Sequence, residues 1–333
     1  MRLFTLLLFL MILVACQSET TGPMDCGYSD QDDLISSRVE TISQARLMET
    51  VTALTSIHTR YMHNDEGCTE TLNLLVEWLE EQGNVAQWDS FSFFRLRQID
   101  TANVYVDFPG TVAPERKILV GAHWDSSAGN GNWWYDEFNI PHHDSSTIAP
   151  GAVDNATGVA ALLELTRILR DTPTAYSVRV MFFAGEELGF KGSKPIADWW
   201  KYEEGPDSLV CMINVDMIGW DGDETRDISL LCHGSTVPMA VDALALAAEL
   251  AEPVFLDTLN WENENNAPAS DQYWFWLNRL PALYFSEGPF DNFPHANSSQ
   301  DTLGAVMPDM LEAGSRALAA TVLQIAIPQL PAL

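Results

Sequence analysis

Four short apolar runs constrain this chain more than any other feature: KILVGAH (117–123), VRVMFFA (178–184), LVCMINV (209–215) and PALYFS (281–286). Each is bounded by turn-forming residues and is too short for a free-standing helix, so each reads as a buried strand. Between and after them lie segments with apolar residues three and four apart: 156–170 (ATGVAALLELTRILR), a stretch near 238–250, and 308–326. Strand alternating with helix points to an α/β sheet covered by helices on both faces. Two further amphipathic helices precede the first run, over 35–59 and 69–82, the second ending at Gly83. With 333 residues, 47% apolar content and 11 Trp, the chain can fill a sizeable core. No repeat or linker divides it after residue 34. Residues 126–152, rich in Gly, Asn, Ser, Asp and aromatics, lack any period and read as a long functional loop.

The first 33 residues read differently. Arg2 precedes an apolar stretch of about a dozen residues, too short to span a bilayer and suited to a secretory signal. The segment Leu13-Val14-Ala15-Cys16 resembles a bacterial lipobox. It implies a signal peptide over 1–15, acylation of Cys16, and a flexible tether over 16–33, with the fold proper over 34–333. The expected location is outside the cytoplasm, as a membrane-anchored lipoprotein on the outer-membrane, periplasmic or cell-surface side. Cys26, Cys68, Cys211 and Cys232 then remain; three pairings are possible and spacing chooses none. No pair has the CxxC spacing of a redox or zinc site.

Acids outnumber bases 47 to 17, a formal net charge of −30. That sign excludes nucleic acid as a partner. It accords with solubility, and with attraction of cationic groups such as free peptide N-termini.

The polar residues next to the apolar runs carry the chemistry. His123 and Asp125 follow the first, Glu186 and Glu187 the second, Asp216 the third, and His295 lies beyond the fourth; Asp154 precedes the helix that follows the long loop. Taken singly, each has a structural explanation: a satisfied core imidazole, a helix cap, a turn. Together they gather where open α/β sheets place their sites, outside the carboxyl ends of strands. The adjacent carboxylates in FFAGEELGFKGS (182–193) suit a metal site in which one acid ligates and its neighbour moves a proton. His and carboxylate donors fit zinc.

The segments GAHWDS (121–126), GAVDNATG (151–158), FFAGEELGFKGS, INVDMIG (213–219), ASDQYWFWLNRLPALYFSEG (269–288) and SSQDTL (298–303) resemble, in order and spacing, the M28 family of zinc aminopeptidases. The resemblance covers roughly residues 35–325. It implies a mixed central β-sheet sandwiched between α-helices, and two zinc ions sharing one water. His123 and Asp216 would hold one zinc, Glu187 the other, and Asp154 both; Glu186 would be the general base. Asp125 would hydrogen-bond His123 and fix its tautomer. The Asp154–Asn155 peptide would be cis, Asp271 would lie near the reaction centre, and the substrates would be peptides with a free N-terminus.

One position departs from the family pattern. A histidine is expected four residues before Asp301, where this chain has Asn297. His295, two residues earlier, is the preferred replacement as last zinc ligand; the alternatives are a weak amide-oxygen ligand from Asn297, substitution by His142 or His143, or an impaired second site. Trp133, Trp134 and Tyr135 are candidates for the pocket rim. Two other functions share these residues: a glutaminyl-cyclase-like enzyme with one zinc, and a catalytically impaired binding homologue. The residues leave the oligomeric state open.

Overall fold

The computed structural model describes residues 30–129, 134–137, 141–234, 236–250, 254–259, 270–287 and 293–327. The signal segment, Cys16, Cys26 and Trp133 lie outside them. The chain runs α1 (Asp30–Val39), α2 (Gln44–Ser56), α3 (Asp65–Glu81), β1 (Gln87–Arg95), β2 (Arg97–Phe108), β3 (Ala113–His123), β4 (Trp134–Tyr135), β5 (Pro141–His142), α4 (Thr157–Arg170), β6 (Tyr176–Phe183), α5 (Ser193–Trp199), β7 (Leu209–Val215), β8 (Ile228–His233), α6 (Val237–Leu250), β9 (Val254–Leu259), α7 (Tyr273–Leu277), β10 (Ala282–Glu287) and α8 (Pro308–Ala326).

Eight strands form one sheet in the order β1-β2-β6-β3-β7-β10-β8-β9. Its middle is the four apolar runs: β6, β3, β7 and β10 are neighbours and all parallel. Their carboxyl ends therefore share one edge. Antiparallel pairing of β2 with β6 and of β8 with β10 makes the sheet mixed. Strand β7 is buried throughout and β3 and β6 are buried toward their carboxyl ends because helices cover both faces. On β6, Val178, Val180 and Phe182 enter the larger core with α2, α4 and α8, while Met181 and Phe183 enter a smaller one with Trp200, Phe275 and Trp276. Alternation of side chains across the strand produces this split. Burying each such Phe is worth roughly 2–3 kcal/mol.

Local chemistry sets the helix ends. The predicted helix over 35–59 is two, because the Ser43 side chain caps α2 by accepting from Arg46 N–H and turns the chain after α1. Helix α1 starts at Asp30, inside the segment read as tether. After α3, Gly83 adopts φ +78°, a left-handed stop that suits glycine. Cys68 and Cys211 are free thiols.

Candidate metal centre

Strands β3, β6 and β7 each deliver side chains at or just beyond the shared edge. His123 is the last residue of β3. Its Nδ1 faces the Asp125 main-chain carbonyl at 3.1 Å, with the Asp125 carboxylate at 3.7 Å. Nδ1–H donates to that carbonyl, which leaves the Nε2 lone pair facing inward. There Nε2 meets Asp154 Oδ1 at 3.3 Å and Asp216 Oδ1 at 3.4 Å. All three residues are buried, and their donor atoms lie within 4.8 Å of one another. His123 Nε2 and Asp216 Oδ1 make no hydrogen bond. Buried lone pairs converging in this way are costly unless a proton or a cation lies between them. The donor set, one imidazole nitrogen and two carboxylate oxygens, fits a divalent metal. Burial alone would lower the His123 pKa, but the Asp216, Glu186, Asp125 and Asp154 carboxylates outweigh it and hold it well above its ordinary value.

The sequence placed Asp125 on the His123 ring; the structure gives its carboxylate other work. Asp125 Oδ1 accepts the N–H groups of Gly185 and Glu186 at 3.0 and 3.1 Å, and Oδ2 accepts that of Glu187 at 3.2 Å. The carboxylate thus organises the turn that carries the two glutamates, while the main-chain carbonyl of the same residue orients the imidazole. Gly185 has φ +73°, and a Cβ there would lie 3.0 Å from the Lys191 Cβ. Burial raises both Glu186 and Glu187 well above the usual carboxylate range, and neighbouring acids add to the rise. Glu187 Oε1 is buried without a partner.

Asp154 does not cap α4. It sits in the turn before the helix, with φ −108° and ψ 91°, and its peptide bond to Asn155 is cis. Asp301 fixes this turn: its Oδ1 accepts Val153 N–H at 2.8 Å and its Oδ2 accepts Asp154 N–H at 3.0 Å. Asn155 continues the brace, donating to Val215 O at 2.8 Å and accepting from Gly158 N–H at 3.0 Å. Asp216 is held from the far side by the Ser270 hydroxyl, which donates to Oδ2 at 2.8 Å. Next to Ser270, Asp271 is fully buried, and burial pushes its carboxyl up to about 7.

Sequence reasoning gave Asp301 and Ser270 only as motif landmarks, and it missed Arg60. That guanidinium is fully buried and donates to the carbonyls of Trp124 at 2.8 Å, Leu54 at 3.2 Å and Gly151 at 2.9 Å. It ties α2 to both loops that flank the candidate metal ligands. Nothing in its local sequence signals this.

The last expected ligand is placed differently from the preferred assignment. The Asn297 amide donates to Asp154 Oδ2 at 3.0 Å, whereas the His295 ring packs edge-on against Phe293. Asn297 adopts φ +54°, and this left-handed residue turns the loop so that position 297 reaches the centre. His142 and His143 are engaged elsewhere. His142 binds the Tyr61 hydroxyl and Asp136 through its two nitrogens; His143 Nε2 accepts Ala128 N–H at 3.0 Å and its Nδ1 faces Asp144 O at 2.9 Å. Trp134 and Tyr135 are exposed on a two-residue strand beside this cluster.

Known proteins share this architecture. A "probable zinc metalloprotease" of Pyrenophora tritici-repentis is 28% identical over 67% of this chain and 52% of its own. A "probable leucine aminopeptidase" of Trichophyton verrucosum is 25% identical over 85% of this chain and 74% of its own. The chain spans about half the length of the first of these curated relatives. Among solved structures, the LapA aminopeptidase of Legionella pneumophila superposes with a TM-score of 0.68 at 17% identity, covering 94% of this chain and 78% of that one. A glutaminyl cyclase of Fimbriiglobus ruber superposes at 0.63 with 16% identity, covering 85% and 95%; both likenesses concern the fold. The model of peptidase family M28 matches residues 103–322, a stretch that holds every residue of the centre described above. On that match, the chain belongs to peptidase family M28.

Proposed function

We propose that this chain is a zinc aminopeptidase that removes N-terminal residues from peptides. The observation that carries the reading is the convergence of His123 Nε2, Asp154 Oδ1 and Asp216 Oδ1 beside the Glu186–Glu187 turn, with Nε2 and Asp216 Oδ1 making no hydrogen bond. His123, Asp154 and Asp216 would hold the metal, with Glu187 beside them. Zinc there would supply a Lewis acid that polarises the scissile carbonyl and makes water more acidic.

The rest falls to side chains of this chain. Glu186 takes a proton from the attacking water on its carboxylate and delivers it to the leaving amine nitrogen. A carboxyl raised by burial holds a proton more readily than an exposed one, which suits it to both transfers. Asp125 holds the backbone of that base in register. The concentration of carboxylates supports binding of a substrate's N-terminal ammonium.

Glu186→Gln tests the proposal. Hydrolysis of leucine amide should fall at least about 100-fold with zinc content unchanged; undiminished hydrolysis would refute the role. Assaying a peptide with N-terminal Gln alongside separates peptidase from cyclase, since cyclisation without leucine-amide hydrolysis would favour the latter.

We also propose that the protein works outside the cytoplasm, tethered through lipid on Cys16. Support comes from the leader MRLFTLLLFLMILVAC. Among the described residues no helix is long and apolar enough to cross a membrane. Cys16→Ser should move the protein from the membrane to the soluble fraction.

A further inference from the structure

Building on the zinc-peptidase reading, we propose that this centre takes one zinc tightly, at His123–Asp154–Asp216, and that Asn297 keeps the adjoining position beside Glu187 from holding a second with comparable strength. The argument starts from the two oxygens of Asp154. Oδ1 faces the His123 imidazole at 3.3 Å. Oδ2, the oxygen with which Asp154 would reach a neighbouring cation, accepts the Asn297 amide N–H at 3.0 Å. An N–H donor occupies an acceptor lone pair and presents positive charge where a second cation would bring its own.

The amide is held in place by its surroundings. Asn297 sits at φ +54°, a conformation that asparagine tolerates better than most residues. The Ser298 hydroxyl donates to His295 O at 2.8 Å, and Asp301 N–H donates to Ser298 O at 3.1 Å. Asp301 then grips the other side of the centre through the N–H groups of Val153 and Asp154. Segments 297–301 and 152–154 therefore form one braced unit.

Rotating the amide to present its oxygen does not repair the second position. A neutral carboxamide oxygen is a harder, weaker donor to zinc than imidazole. Beside it the position has the Glu187 carboxylate, whose Oε1 has no partner. Among the described residues the group of three donors close enough to share one ion is His123, Asp154 and Asp216. Imidazole is present on one side of Asp154 and replaced by amide on the other. That asymmetry sets the order of affinity.

The test counts metal instead of turnover. Chelator-stripped protein is titrated with Zn2+ against a chromogenic competitor, and the zinc retained after desalting is measured by mass spectrometry. One zinc per chain should be retained, with any second binding at least roughly 100-fold more weakly, the upper end of what even an outer-shell partner contributes to metal affinity. Asn297→His should raise the retained zinc toward two per chain. Asn297→Ala, which frees Oδ2 without adding a ligand, should leave it at one. Two zincs bound by the unaltered chain within about tenfold of each other would overturn the inference and leave the peptidase reading intact, and so would an Asn297→His variant that stays at one. No tightly bound zinc at all would overturn both.

Discussion

Asp125 shows how much one side chain can decide. Its two carboxylate oxygens accept three backbone N–H groups of the turn bearing Glu186 and Glu187, and its main-chain carbonyl holds the His123 ring. Asp125→Asn keeps the carbonyl but replaces one acceptor oxygen with an N–H donor that meets N–H groups head-on. The variant should lose roughly 1–3 kcal/mol of stability, read by chemical denaturation. Leucine-amide hydrolysis should fall more than zinc affinity, because His123, a ligand on the proposed reading, keeps its partner; an equal fall in both would place the carboxylate's effect on the metal instead. Residue types and their order along the chain were legible in sequence, which is why His123, Asp154, Asp216, Glu186 and Glu187 could be named as candidates, and the structure brings His123, Asp154 and Asp216 together. Partner atoms were not legible. Beyond a strand end, the direction of a side chain depends on loop dihedrals such as the φ of Asn297, which spacing does not encode.

Burial made most of the central elements legible, although β8, buried along nearly its whole length, was missed. Strands β3, β6, β7 and β10 announce themselves because helices on both sides leave few polar positions in the segments they bury, and α4 and α8 because their apolar residues recur three and four apart. Strands β8 and β9 gave no such signal; they extend the sheet beyond its parallel middle. The β1–β2 hairpin read only as an alternating region, because β1 alternates half-buried with exposed residues along its length. The joint between elements is the sensitive part. A Cβ on Gly158, in the first turn of α4, would lie 2.4 Å from Asn155 Oδ1 and 2.8 Å from Val215 O. The helix thus approaches the end of β7 as closely as a residue without a side chain allows. Gly158→Ala should cost about 1–3 kcal/mol, the usual range for overpacking. Because Asn155 follows Asp154 and Val215 precedes Asp216, zinc affinity should fall with stability. Denaturation with and without zinc checks this: an equal loss in both states would mean that the joint does not reach the ligands.

For the molecule as a whole, the buried acids make the metal-free protein sensitive to pH in a direction that can be worked out. Burial holds Asp271 and Asp301 up at about 7, and it raises Asp154, Glu186 and Glu187 as well. His123 is also raised, by its carboxylate neighbours. A group with a folded-state pKa above its unfolded value binds its proton more tightly when folded. Its contribution to stability is present below the unfolded pKa and is lost as pH rises through the folded one. All six groups act in this direction; the acids held below their ordinary value, Asp100, Asp144, Glu164, Asp171 and Asp198, act in the opposite one, but their contribution is lost only as pH falls below the ordinary carboxylate range. Chelator-treated protein should therefore melt at a lower temperature at pH 8 than at pH 5, with most of the fall between about pH 4 and 7 for Asp271 and Asp301. Zinc, which takes its ligands deprotonated, should flatten or reverse that slope. Asp271→Asn removes one buried carboxyl without changing its shape, so it should reduce the fall in the metal-free protein. A metal-free melting temperature that stays level or rises over this range would show that the acids are not buried together, and the convergence on which the centre depends would fail with it.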